Sequence, residues 1–187
     1  PQQRSKWWIL FYFCLASGLV SFNVSALTAV IPAIARSLGL SANDASAIIP
    51  YYMIPYGIGA LVYAPLATRF SIRRLMLIAC LSFAAGNALS FFVDNMAVVL
   101  TGRVIAGFGA SAVTPLGLMT LGKIFEKSVR GRVIGAFFSS SFIGAMMGLL
   151  LSVFAPWHWL FAVPMVMAVL LAVGFIFCPR EGMEANS

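Results

Sequence analysis

The chain is short of charge. Only 9% of its 187 residues are Asp, Glu, Lys or Arg, against 61% hydrophobic, whereas a soluble domain carries roughly 25% charged residues. That shortage excludes an ordinary water-facing surface. Acids are scarcest: Asp44, Asp94, Glu126, Glu181 and Glu184 are the full set, and none falls inside a long apolar run. The three cysteines, Cys14, Cys80 and Cys178, stand at unrelated spacings without a CxxC pair. They give neither a disulfide framework nor a metal site and read as small packing residues. The single histidine, His158, completes no Ser-His-acid set and no metal-ligand cluster, so an enzymatic reading finds no catalytic residues and no cofactor is called for. A formal net charge of +7 raises nucleic acid as a partner. The basic residues, however, sit in short turns between apolar runs, which is loop charge bias rather than a nucleic-acid face.

What the chain has in abundance is apolar sequence, in runs long enough to cross a bilayer, for which about 20 residues suffice. Six such runs are expected, over about 7–34, 46–67, 74–93, 96–122, 133–155 and onward to 178. The first is too long for a signal-peptide core and lacks a clear cleavage site. The stretch from Pro65 to Leu75 sets Arg69, Arg73 and Arg74 between the second and third runs. A basic turn between two spans belongs on the cytoplasmic surface. By alternation, ten of the twelve Lys and Arg residues fall on that side and only Arg36 on the other, which predicts both termini inside. The fold class is therefore an all-α polytopic membrane protein, one six-helix domain over 1–187.

Several polar residues interrupt the apolar runs. Ser17, Ser21, Ser25 and Thr28 recur at helical spacing in the first span, with Asn23 at an angle to them. That stripe serves either close helix packing or the wall of an aqueous cavity, while the buried Asn23 amide needs partners. Pro32 is expected to close this helix and 36–44 to form an outer loop, with Ser41 to Asp44 capping the next helix. Pro50, Pro55, Gly57 and Gly59 imply a bent second span. Tyr52 and Tyr56, four residues apart, share one face of it, expected to line a cavity. Asn87 is the main polar group inside the third span. Arg103 lies about 10 Å inside the fourth at 1.5 Å per residue. With no acid in any span, it must either snorkel outward or find carbonyls, water, a second chain or an anionic ligand. Residues 123–132 read as a basic loop. The fifth span then carries Ser139, Ser140 and Ser141 and the GxxxG-type pair Gly144 and Gly148. His158 falls in an outer turn between Trp157 and Trp159 and reads as an exposed interface residue.

Six motifs in order carry a resemblance. Ile31-Pro-Ala-Ile-Ala-Arg-Ser-Leu-Gly-Leu-Ser41 resembles the first-helix ending of the major facilitator superfamily, and Pro65-Leu-Ala-Thr-Arg-Phe-Ser-Ile-Arg-Arg74 its signature between helices 2 and 3. Arg103-Val-Ile-Ala-Gly107-Phe-Gly109 resembles its helix 4 arginine motif, Arg130-Gly-Arg132 the loop before helix 5, and Gly144-Ala-Met-Met-Gly148 a worn antiporter motif. Trp157-His-Trp159 resembles the usual Trp-Arg-Trp. Nearly the whole chain is thus similar to an amino-terminal six-helix half, in the drug:proton antiporter branch. The resemblance implies two three-helix inverted repeats, about 7–93 and 96–178, in a bacterial inner membrane.

It also implies roles and losses. Asn23, Tyr52, Tyr56, Asn87, Arg103 and Ser140 become the expected cavity and substrate-binding residues. Thr68, Arg69, Arg73, Arg74, Gly107, Gly144 and Gly148 become the expected gating and motif residues. Ala64, Thr68 and Ser71 stand where the family's signature has Gly, Asp and Gly, weakening the latch that the aspartate provides. Ala145 and Leu149 replace a proline and a glycine of the antiporter motif. Asn23 occupies a position where many relatives carry an aspartate, and an amide cannot titrate, so a standard proton relay is not expected. The implied function is secondary active or facilitative transport of small organic solutes by alternating access, with the lipid bilayer, a solute and a second copy of the chain as partners. The unpaired Arg103 favours an anionic or zwitterionic solute or a uniporter. The tail ends soon after helix 6, and helix 5 is rich in glycine; both suit a homodimer. A non-transporting scaffold and a fragment of a twelve-helix drug antiporter are the alternatives.

Overall fold

A computed structural model describes residues 2–178 and 183. Among them are nine α-helices: α1 (Gln2–Ala29), α2 (Ile31–Leu38), α3 (Ala42–Ala45), α4 (Pro50–Leu66), α5 (Ile72–Phe92), α6 (Met96–Ala110), α7 (Val113–Ile124), α8 (Lys127–Phe154) and α9 (Trp159–Phe177). They form six stretches long and apolar enough to cross a bilayer. Span 1 is α1, span 2 runs through α3 and α4, span 3 is α5, span 4 joins α6 and α7, span 5 is α8 and span 6 is α9. In hydrocarbon every backbone N–H and C=O must be paired within the chain, and helices do this locally.

The turns are built as their residues dictate. Ser41 caps α3 by accepting from the Asp44 amide at 3.1 Å, and Ser71 caps α5 by accepting from the Arg74 amide at 3.3 Å. Thr68 folds its hydroxyl back to donate to the Pro65 carbonyl at 2.7 Å, closing the basic turn on itself. Arg73 donates from Nε to the Phe175 carbonyl at 2.7 Å, tying that turn to the end of span 6. At the opposite end, His158 meets Asp94 at 2.7 Å, joining the turn after α5 to the turn before α9.

Three expectations are corrected. Pro32 does not close span 1 for good: after a break at Val30 it sits in the first turn of α2, where its missing N–H costs nothing. Glycine closes α2 instead, Gly39 at φ 66°. Residues 123–132 are not a loop, because Lys123 lies in the last turn of α7 and Lys127, Arg130 and Arg132 in α8. Charged side chains extend a helix into the interface without penalty. Span 4 is likewise not one helix, since it breaks between Ala110 and Val113. Arg180, Glu181 and Glu184 lie outside the described residues.

Packing follows the small residues. Without a hydrophobic force between helices in lipid, close approach is set by glycine, alanine and serine. A Cβ on Gly144 would strike the Gly18 backbone and one on Gly148 the Phe22 backbone, so α8 lies hard against α1. Gly86 and Gly102 face each other's carbonyls across α5 and α6, and Gly107 lies against the Tyr52 backbone of α4. The Gly144 and Gly148 pair is therefore used inside this unit and is not available to a second copy. The remaining main contacts are α4 with α6, α5 with α9, and α1 with α9. Exchanging spans 1, 2 and 3 for 4, 5 and 6 maps this pattern onto itself: 1 on 5 becomes 4 on 2, 1 on 6 becomes 4 on 3, and 3 on 6 is unchanged. Peripheral α8 buries only Val133, Phe137 and Gly148, leaving large apolar side chains such as Phe142, Met146 and Val153 bare.

The glycine contacts give a direct test. Gly144→Val is expected to destabilise the protein by about 1–3 kcal/mol through overpacking, read as a lower melting temperature in detergent. Gly135→Ala on the same helix has open space around its Cβ and is expected to leave the melting temperature unchanged or slightly raised.

Candidate functional site

The site grows from one buried cation. Arg103 on α6 is 3% exposed, so it does not snorkel outward. Its Nη1 donates to Asn23 Oδ1 on α1 at 2.5 Å, and its Nε donates to the Ile48 carbonyl at 3.3 Å. The guanidinium carbon stands 4.2 Å from the centroid of the Tyr52 ring on α4, within the range of an attractive cation–π contact. Asn23 has its oxygen committed to the cation and turns its amide nitrogen to Asn87 Oδ1 on α5, at 2.8 Å. Asn87 in turn donates to the Phe83 carbonyl at 2.8 Å. The result is a one-way chain of dipoles across four spans, each acceptor pointing toward the positive charge.

That chain answers how Arg103 survives without an acid. A buried charge needs pairing or dense hydrogen bonding, and here two oxygens and a ring face share the work. Tyr52 contributes its face. Its hydroxyl is buried without a hydrogen-bond partner among the described residues. A crevice of about 10 Å³, lined in part by Thr28, Ile49 and Met53, reaches the guanidinium. That is room for no more than about one water. Arg103 therefore has partners of its own inside this unit, two oxygens and the face of Tyr52.

A larger chamber lies beside this network. It measures about 330 Å³ and is walled by Val20, Ser21, Val24 and Ser25 from α1, Tyr52, Met53 and Tyr56 from α4, and Ser141, Phe142 and Ala145 from α8. Ser21 and Ser141 hydrogen-bond to each other across the α1–α8 contact. The Tyr52 and Tyr56 rings stack with centroids 6.0 Å apart and 28° between planes. No lining residue is charged, so the chamber offers hydroxyls, aromatic faces and aliphatic surface.

The structure thus brings Asn23, Asn87, Arg103 and Tyr52 into one network and Tyr52 and Tyr56 into one chamber wall. Ser140 belongs to neither. Its hydroxyl donates to the Ala136 carbonyl at 2.9 Å, and its own carbonyl lies against Gly18; the chamber residue is its neighbour Ser141. The span 1 stripe divides as well: Ser21 and Ser25 line the chamber, whereas Ser17 is packed away at 6% exposure. The wall residues Met53 and Phe142 carry no polar signal in the sequence, and nothing but their place on α4 and α8 marks them.

The network makes a measurable claim. Asn23→Leu strands the buried cation and the Asn87 acceptor, at a cost of about 1–3 kcal/mol for each unsatisfied group, seen as a lower melting temperature. Asn23→Asp keeps an oxygen on the guanidinium but loses the donor to Asn87, and is expected to melt above Asn23→Leu. The double variant Asn23→Leu/Arg103→Met should lose less than the sum of the two single variants, since the groups act together.

With this geometry in hand, the comparisons with known proteins are specific. A family model described as Major Facilitator Superfamily matches residues 13–187. The chain is 27% identical over 186 residues to the puromycin resistance protein pur8 of Streptomyces alboniger, covering 97% of this chain and 37% of that one. It is 23% identical to the galactose-proton symporter of Escherichia coli, again over 186 residues, covering 95% of this chain and 40% of the relative. The chain therefore spans about two fifths of the length of the curated relatives it matches. Among solved structures, the proton:xylose symporter XylE bound to 6-bromo-6-deoxy-D-glucose is similar in fold, with a TM-score of 0.82 at 16% identity, covering 96% of this chain and 46% of that chain. An all-helical unit of six spans, matched over nearly its full length by the family model, belongs to the Major Facilitator Superfamily.

Proposed function

We propose that this chain is one six-helix half of a transporter that moves small, uncharged or amphipathic organic solutes by alternating access. It is built as two three-helix repeats, about 7–93 and 96–178. The observation that carries this reading is the open chamber between α1, α4 and α8, a concave wall of hydroxyls and aromatic rings inside apolar spans. A wall of that composition exchanges weak hydrogen bonds and dispersion contacts with a solute, so it can both hold and release it. The relatives' names, a puromycin resistance protein and a galactose-proton symporter, support a solute-carrying role and leave the solute class to the chamber.

The opposite wall comes from a second six-helix unit, and a second copy of this chain is the arrangement to test first. The bare apolar faces of α4 and α8, with Ile54, Ile58, Phe142 and Met146 exposed, flank the chamber and suit such a partner. Asp44 and Glu126 stand at span ends, and the chamber itself carries no carboxylate. A proton-coupled cycle would need its titrating acid from the opposite unit. The basic turn at 68–74 acts as an inner-surface anchor with a weakened latch, because Thr68 satisfies itself on Pro65 and leaves Arg69 exposed. Both termini face the cytoplasm on the charge bias of the loops.

Reconstituted vesicles test this. Ser25→Trp fills the chamber and is expected to cut solute flux at least about tenfold, as loss of about 1.4 kcal/mol of solute binding would, with an unchanged melting temperature. Leu61→Trp, on an exposed face of α4 that does not line the chamber, is expected to leave flux intact. Equal flux in the Ser25→Trp protein would remove the chamber from the transport path. Native mass spectrometry decides the partner: a two-copy mass supports the homodimer, and a single-copy mass assigns the second unit to another chain or to a longer form of this one.

A further inference from the structure

A second recess shares no lining residue with the chamber. It is a groove of about 330 Å³ between α4, α5 and α6, whose lining includes Tyr63, Leu66, Phe70, Arg74, Ile78 and Phe108. Buried Tyr63 forms its inner wall, with its ring 6.5 Å from that of Phe108 between centroids. Its outer edge is open and apolar: Ile78 is 51% exposed and Phe108 38%. Arg74, Ile78 and Ser82 follow at four-residue steps on one face of α5. The groove thus runs about 12 Å from the basic turn into the span, at 1.5 Å per residue.

The two ends of the groove differ in chemistry. Inside the span it has the walls of an acyl-chain slot, while Arg74 at its mouth is exposed, as is Arg69 in the preceding turn. Arg73 is held at the same turn by its bond to the Phe175 carbonyl. No Asp or Glu occurs anywhere between Asp44 and Asp94, so spans 2 and 3 and the turn joining them offer the mouth no acid to offset these cations. Basic pockets between spans are favoured places for anionic headgroups. We propose that this groove binds one anionic phospholipid in the leaflet that meets the 68–71 turn. Its acyl chain lies along Tyr63, Leu66, Ile78 and Phe108, and its phosphate rests on Arg74. The site stands independently of the transport reading, since it requires only that α4, α5 and α6 lie in a bilayer.

Phosphatidylglycerol and phosphatidylcholine separate charge from chain. The chain, purified in detergent and stripped of lipid, is titrated with each and read by native mass spectrometry. One phosphatidylglycerol is expected to stay bound at concentrations where phosphatidylcholine does not. Arg74→Gln should weaken that retention about fivefold, the effect of one basic residue at the surface, and Arg74→Lys should restore most of it. Ile78→Trp, which blocks the slot from its exposed edge, should abolish retention, and Arg36→Gln at the other membrane surface should change nothing. Equal retention of the two lipids overturns the proposal, as does an unchanged Arg74→Gln protein. A two-copy assembly that takes up no phosphatidylglycerol at any ratio also overturns it, and gives the groove to a protein partner. Arg74 is exposed, so its two variants carry the test even if Ile78→Trp fails to fold.

Discussion

A guanidinium placed in hydrocarbon must be solvated by the protein around it, and the way Arg103 meets that demand constrains most of this unit. Its cost at the centre of a span is several kcal/mol or more, and no carboxylate is at hand to neutralise it. The protein instead aims dipoles at it: the Asn23 oxygen from span 1, the Ile48 carbonyl before α4, and the face of Tyr52. Asn87 then fixes the Asn23 amide from span 3. Because hydrogen bonds tolerate only a few tenths of an ångström, the axial positions of α1, α4, α5 and α6 are set relative to one another by this cluster. The charge is dispersed rather than paired.

Such a cluster closes only if the helices come near enough, and glycine supplies the distance. Gly107 lets α6 approach the backbone at Tyr52, the same residue whose ring covers Arg103. Gly86 and Gly102 do the same for α5 and α6, and so bring Asn87 within reach of span 1. Backbone proximity and polar satisfaction are thus one device: the small residues remove steric bulk, and the polar residues use the space. Where glycine pairs α8 with α1, the outcome is a different one. The Ser21 and Ser141 hydroxyls meet there, and the chamber opens beside them.

The chamber and the groove differ in chemistry. The chamber is lined by uncharged hydroxyls, aromatic rings and aliphatic side chains, and the buried cation lies behind Tyr52 and Asn23. The groove on α4, α5 and α6 is apolar with a cation at its mouth, which suits a lipid rather than a transported solute.

Much of the fold was legible in the sequence, because bilayer thickness and loop charge act on composition and need no tertiary detail. Six apolar runs with basic turns at every second junction already specify six spans and their alternation, and six motifs in order carry the resemblance to the family. Asn23, Tyr52, Asn87 and Arg103 stood out singly, since a polar group in hydrocarbon is conspicuous. What the sequence could not decide was which of them meet: Asn23 and Arg103 are 80 positions apart, and no local period links them. Ser140 and Ser141 are indistinguishable as letters, yet a rotation of about 100° per residue sends one against the Ala136 carbonyl and the other into the chamber. Sequence determined the spans and the inventory of buried polar groups, because hydrophobic transfer depends on composition alone. Tertiary structure alone decided which dipoles meet Arg103, because that depends on three-dimensional distances between helices.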